Sequence, residues 1–180
     1  MINFLENLFR EEAPLVDLNS VSDGICSNNG KNYIDFDKFK EKLYGENDFF
    51  NGDYFSSTDS IILNREKEQI IFIEFKSMKD FEIQEEMKNW FKSKKSSVYL
   101  KMSDSILGLS TYFNQKHNKS YDDFMDIPKI FIYVYDTNNN PRVNIRNHLK
   151  GKFVKYNFLY EEILTLESDK FKEFLNRYNL

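Results

Sequence analysis

Three charged residues stand at the ends of two short apolar runs. Asp59 heads the run Ile61-Ile62-Leu63, while Glu74 and Lys76 close the run Ile70-Ile71-Phe72-Ile73. Between the runs lies the charged turn Arg65-Glu66-Lys67-Glu68. Side chains alternate along a strand, so Glu74 and Lys76 share one face and Phe75 points to the other. The second run is apolar at both parities, the pattern of a strand buried on both faces. If the turn is even-numbered and centred between Glu66 and Lys67, Leu63 faces Ile70, Ile61 faces Phe72 and Asp59 faces Glu74. Directly opposed side chains project on the same side, with Cβ atoms ~5 Å apart. Asp59, Glu74 and Lys76 then form one cluster, whereas an odd loop needs a bulge to restore it.

Two opposed carboxylates repel each other unless positive charge lies between them. A divalent cation meets that need. Mg²⁺ takes hard oxygen ligands, commonly one or two carboxylates with water and substrate phosphate. The main-chain carbonyl of Phe75 lies between the Glu74 and Lys76 side chains and can add a third ligand. Lys76 can orient or help deprotonate an attacking water, or balance charge on a phosphorane. The competing reading is a solvated ion pair at a strand end, which stabilises little.

The pattern Asp59 … Glu74-Phe75-Lys76 resembles the PD-(D/E)xK motif of restriction-endonuclease-like phosphodiesterases. The resemblance implies that Asp59 and Glu74 bind Mg²⁺, with Mn²⁺ as a substitute, and that Lys76 assists the nucleophilic water. It implies an α/β fold in which helices flank a mixed central sheet, with the family core over residues 35–136. It implies a nuclease acting on nucleic acid, DNA above all, in restriction, phage defence or a mobile element, and working as a homodimer. The chain departs from the family at Thr58, where proline is usual, and no first core strand is evident between Gly45 and Asp59. The family often adds an acidic residue from the first helix, for which Glu41 is the candidate, with Glu46 behind it. It also adds a polar or basic residue from the helix after the motif. There Ser97, Lys101 and Ser105 share a face, and Lys101 is placed to contact phosphate. The alternative is a nuclease-like fold without chemistry, acting as a protein-binding or inhibitor module.

The elements that must hold this site follow from periodicity. Residues 3–12 predict an amphipathic helix that stops before Pro14, followed by a polar, turn-rich stretch at 17–33. Residues 35–45 predict a helix capped by Asp35 or Asp37, with Phe36, Phe39, Lys40 and Leu43 on its buried edge and Gly45 at its end. Strands are predicted at 59–64 and 69–76, and helices at 80–92 and 95–115. Tyr99, Met102, Ile106, Leu109 and Phe113 form the core stripe of the longer helix. Residues 128–136 predict a buried strand, 151–159 a further strand, and 168–178 a closing helix with Ser168 as N-cap. The chain reads as a single domain, with 1–33 appended to the core and 137–180 completing it.

Composition narrows the classes. The 180 residues carry 41% apolar side chains and a net charge of −4, which argues for a globular chain and against one that coats nucleic acid with its whole surface. A local basic cleft remains compatible, and residues 92–97 and 142–155 are the basic stretches. The single cysteine, Cys26, excludes an internal disulfide and a multi-thiolate zinc site, which suggests a cytoplasmic setting. No apolar run approaches the ~20 residues that span a bilayer. His117 and His148 stand alone, without ligand-spaced partners. The sequence holds no GxGxxG, Walker A, HExxH or GxSxG motif.

Overall fold

The two most apolar runs of the chain lie side by side at the centre of the sheet. In the computed structural model, which describes residues 2–46 (side chains of 42–46 excepted), 56–79, 81–93, 98–136, 153 and 156–180, they form β4 (Gln69–Ser77) and β5 (Lys129–Asp136). The two strands run parallel from Ile70↔Lys129 to Ser77↔Asp136. All eight residues of β5 are buried, as expected for a parallel strand covered on both faces. Around this pair the sheet is mixed and open. Its order is β1 (Leu15–Asp17), β2 (Asn32–Asp35), β3 (Ser60–Asn64), β4, β5 and β6 (Glu162–Glu167). The first three junctions are antiparallel and the last two parallel.

Helices cover both faces. One face packs under α1 (Ile2–Glu12), α3 (Phe36–Glu46), α4 (Gln84–Lys92), α5 (Val98–His117) and α6 (Tyr121–Met125). Strand residues Ile61, Ile70, Phe72, Phe131 and Tyr133 point into this layer. The other face carries α2 (Leu18–Val21) and α7 (Ser168–Arg177), packed on Ile71, Ile73, Phe75, Ile132 and Val134. Strict alternation along β4 therefore sends its even-numbered residues, Glu74 included, toward the large helical layer. Among the described residues no helix is long and apolar enough to cross a membrane.

Several expectations hold. The hairpin turn occupies Arg65–Glu68, and the register runs Ser60↔Ile73, Ile61↔Phe72, Leu63↔Ile70 and Asn64↔Gln69. This is the even register, so the condition on the Asp59 cluster is met. The α5 stripe is also as expected: Met102, Ile106, Leu109 and Phe113 are fully buried and Tyr99 packs partly against them. Asp35, not Asp37, caps α3 by accepting from the Lys38 backbone N–H at 3.0 Å.

Other expectations are corrected. The polar stretch 17–33 contributes to the sheet through β1 and β2 and carries the short α2. The strand next to β3 is thus β2, which precedes α3 in the chain. Residues 47–55, where a first core strand was sought, lie outside the described residues. The predicted strand at 151–159 is not one where described. Phe153 is helical and 156–159 form a turn, while β6 follows at Glu162–Glu167. The apolar positions Phe153, Tyr156 and Leu159 recur every three residues and all pack on the same core, which suits a helical turn and not a two-residue pleat. In β6 the pleat is evident, with Ile163 against one core and Leu164 and Leu166 against the other. Ser168 is the first residue of α7, and Glu167 is its N-cap, without a side-chain cap bond.

One buried cation holds α6 to the sheet. Lys129 is 2% exposed, and its Nζ donates to the carbonyls of Phe124, Met125 and Ile127 at 2.7, 3.0 and 2.7 Å. Phe124 and Met125 end α6 and Ile127 follows it, so the ammonium gathers carbonyls at the end of a short helix, where intrahelical donors run out. Lys129→Met removes all three bonds at once, and each charged donor contributes roughly 1.5–3 kcal/mol where its acceptor is buried. The variant is expected to lose about 3 kcal/mol in urea unfolding. A loss under about 0.5 kcal/mol would mean that these carbonyls are satisfied by water instead.

Candidate metal site

Asp59 sits one residue before β3, and four interactions hold its segment in place. The Phe36 backbone N–H donates to the Asp59 carbonyl at 3.0 Å, which ties the segment to the start of α3. The Thr58 backbone N–H donates to Ser105 Oγ at 2.9 Å, and that of Ser56 to Asp104 Oδ2 at 3.1 Å, which ties it to α5. The Asp59 side chain then bridges to the neighbouring strand, where Oδ2 accepts from the Phe75 N–H at 2.7 Å. That N–H is free because the β3–β4 ladder ends at Ser60↔Ile73. The Phe75 carbonyl leaves the strand on the same edge as its N–H, so it faces the same gap.

Glu74 projects into this gap from β4, and Lys101 reaches it from α5. The Lys101 Nζ lies 2.9 and 2.8 Å from the two Glu74 oxygens and 3.0 Å from Asp59 Oδ1. The two carboxylates are therefore at most about 6 Å apart. The Glu74 side chain is 7% exposed, and those of Asp59 and Lys101 are each 20% exposed. Desolvation dominates the electrostatics. Burial pushes Glu74 well above the usual carboxylate range, and the adjacent Asp59 charge adds to this while Lys101 opposes it. Burial also raises Asp59, against the pull of Lys101 and the Phe75 N–H. For Lys101 burial disfavours the charge, but Glu74 and Asp59 outweigh it and hold the ammonium protonated.

Sequence reasoning clustered Asp59 and Glu74 with Lys76 and gave Lys101 only a phosphate contact, whereas the structure sets Lys101 against the two carboxylates. Lys76 and Glu41 lie apart from this group. Lys76 keeps the Glu74 side of the strand, but its side chain turns toward α4 and its Nζ lies 5.0 Å from the centre of the Trp90 ring. Among the described residues Lys76 forms no ion pair. A lysine two residues along the strand starts ~6.6 Å farther out, whereas α5 crosses directly above the carboxylates. Glu41 is exposed on α3 and does not enter the site. The acidic group that does approach is Asp37, one helical turn earlier, whose charge acts on both Asp59 and Glu74. The reason is that α3 meets the site at its N-terminal turn, through Phe36. Asp37 also holds Lys40 at 3.1 Å and accepts a short hydrogen bond from Ser57 Oγ. Ser105 is buried and positions Thr58. Ser97, the Glu46 side chain, His148 and residues 142–152 lie outside the described residues. His117 is packed among the rings of Phe4, Tyr112 and Phe113, away from any carboxylate cluster.

Asp104 and Tyr133 were not singled out in the sequence, and Asp37 only as a possible helix cap. Tyr133 stands opposite Glu74 in the β4–β5 register, and its buried hydroxyl finds no hydrogen-bond partner among the described residues. Burial pushes its phenol well above the ordinary value, with further contributions from Glu74 and Asp59. The in-phase positions Glu74 and Tyr133 could be paired only with the strand register in hand.

The donor set tests whether a cation fits. It comprises two carboxylates, one main-chain carbonyl and a neighbouring phenol, all hard oxygens, which suits Mg²⁺ or Mn²⁺ and not Zn²⁺ or Cu²⁺. Among the described residues no group of three or more His, Cys, Asp or Glu is gathered to hold a metal ion, so such a site depends on Phe75 and on water or substrate oxygens for its remaining ligands. Cys26 is no candidate, since burial on the opposite face raises its thiol to about 11.

Fold and site together define an α/β protein with a six-stranded mixed open sheet, seven helices among its described residues, and a carboxylate pair at the C-terminal end of β4. No family model, curated protein or solved structure matches this chain.

Proposed function

We propose that the protein is a Mg²⁺-dependent nuclease that hydrolyses phosphodiester bonds, with DNA as its substrate class. The observation that carries this reading is the convergence of Asp59, Glu74 and the Phe75 carbonyl edge on one gap, closed by a lysine from α5. A metal held there would polarise a phosphoryl oxygen and lower the pKa of an attacking water. Asp59 and Glu74 bind and orient it. The Phe75 N–H fixes the rotamer of Asp59, and Ser105 and Asp104 fix the loop that carries it. Lys101 supplies positive charge beside the scissile phosphate. Lys76, two residues beyond Glu74 on the same face, is assigned to the substrate, not to the metal. The aromatic surface of Trp90 holds it there, a contact of about 0.5–1 kcal/mol at such exposure.

The experiment is direct. The purified chain is incubated with plasmid DNA or RNA and Mg²⁺ or Mn²⁺, beside its Glu74→Ala and Lys76→Ala variants. Metal-dependent cleavage that is lost in Glu74→Ala is expected. Equal activity in all three proteins would overturn the assignment.

One observation favours a second reading. Lys101 already neutralises part of the carboxylate charge, as it would in a nuclease-like module that binds a partner without chemistry. The two readings differ in metal linkage, because a ligand that binds only the folded state raises its stability by mass action. An Mn²⁺ concentration of about 100 times Kd would add ~2.7 kcal/mol and raise the melting temperature by several degrees. A melt unchanged by millimolar Mn²⁺ would favour the binding module.

A further inference from the structure

The position of Lys101 between the carboxylates has a consequence for how a cation enters. An ammonium has three N–H donors, and the three carboxylate oxygens around Lys101 Nζ, at 2.8, 2.9 and 3.0 Å, account for all three. The fourth carboxylate oxygen, Asp59 Oδ2, is held by the Phe75 N–H. The space between Asp59 and Glu74 is thus filled by a monovalent cation built into the chain. A Mg²⁺ ion bonds oxygen at 2.0–2.1 Å and tolerates little distortion. It and the ammonium cannot occupy the same point between the same oxygens, and their charges repel.

We infer that Lys101 is the internal counter-ion of the site, and that a divalent cation binds Asp59 and Glu74 by displacing its ammonium toward solvent. This rests on the metal-site reading given above. The exit exists, since the Lys101 side chain is 20% exposed while Glu74 is 7% exposed. Lys101 swings outward while its backbone stays on α5. The displaced ammonium remains at the rim of the site, where it meets a phosphate oxygen of the substrate. Charge bookkeeping agrees. The carboxylate pair with Lys101 carries −1, and exchanging the lysine for a divalent ion brings the pair to zero. The released ammonium is then available to an anion. Metal and phosphodiester therefore bind with positive cooperativity, because each removes the obstacle the other faces. Lys76, seated on Trp90, takes no part in the exchange.

The test measures Mn²⁺ binding to the full chain by calorimetry, without substrate. Lys101→Met is expected to bind Mn²⁺ at least tenfold more tightly than the wild type. Lys76→Met, with the same change of charge, is expected to shift affinity less than threefold. Equal or weaker binding by Lys101→Met, or an equal gain in both variants, would overturn the inference. A second measurement uses the wild type alone, in case Lys101→Met folds poorly. Amine acetylation read by mass spectrometry should find Lys101 protected without metal and reactive in saturating Mg²⁺. Lys101 equally protected in both conditions would overturn the exchange. Glu74→Gln separates the two levels of the argument. If that variant binds Mn²⁺ as tightly as the wild type, the metal-site reading itself falls. If it loses binding while Lys101→Met gains nothing, only the exchange falls.

Discussion

Glu74→Gln is expected to lower metal-dependent cleavage by at least about a thousandfold, equivalent to ~4 kcal/mol of barrier. The same variant is expected to keep its melting temperature in metal-free buffer. The two halves of this result have separate causes. Glu74 offers both of its oxygens to the gap, and a neutral amide is a poor ligand for a hard divalent ion. Its stability effect is small because the native carboxylate carries a large desolvation penalty, the main reason that its proton affinity is raised. Lys101 retains Asp59 as a partner at 3.0 Å, so no buried cation is stranded. A glutamine oxygen can still accept from the ammonium. Residues that serve function at a cost in stability show this combination of lost activity and unchanged or raised stability. Denaturation followed by circular dichroism, beside a plasmid-cleavage assay, checks both halves. A drop in melting temperature of more than about 10 °C would mark Glu74 as part of a structural ion-pair network instead.

Phe72→Ala is expected to destabilise the protein by about 3–5 kcal/mol, the range for emptying a fully buried aromatic site. Phe72 lies two residues before Glu74 on the same face of β4 and is 0% exposed. Its ring meets Phe36 at 6.4 Å and Tyr160 at 5.9 Å between centroids. Tyr160 in turn donates to the Met102 carbonyl of α5 at 2.6 Å. The ring therefore sits beneath the site and contacts, directly or through Tyr160, the two helices that flank the carboxylates. For a chain of this size each kcal/mol corresponds to roughly 2–4 °C, so the midpoint should fall by about 10 °C. Urea unfolding measures the free energy, and Ile62→Ala is a useful comparison because Ile62 points to the opposite layer. A loss below about 1 kcal/mol for Phe72→Ala would show that this layer is not packed as described.

Much of this molecule was legible in the sequence, because its central elements carry strong local patterns. The runs Ile70–Ile73 and Ile130–Val134 are apolar at both parities, and only a strand covered on both faces tolerates that. The stripe Met102, Ile106, Leu109 and Phe113 keeps helical spacing over three turns. The four-residue turn with charged residues sets an even register, so Asp59 and Glu74 meet by arithmetic. The weaker elements escaped because they are short and stabilised from outside themselves. β1 and β2 have three and four residues at the two ends of a polar stretch, and each exists through its pairing partner. β6 depends on parallel pairing with β5, a partner some thirty residues away.

What the sequence by itself determined is which charged residues come near one another along the hairpin: two carboxylates, at the head of β3 and on β4, with lysines on neighbouring elements. What only the tertiary structure decided is which lysine stands between the carboxylates and which acid stands behind them. Strand parity places Lys76 on the right face but says nothing of reach, and the crossing of α5 brings Lys101 across the gap instead. Helical periodicity puts Asp37 and Glu41 on one side of α3, and the contact from Phe36 to Asp59 selects the first turn. The physical reason is the same in both cases. Local patterns fix the direction of a side chain, while its distance from a partner depends on how separate elements pack.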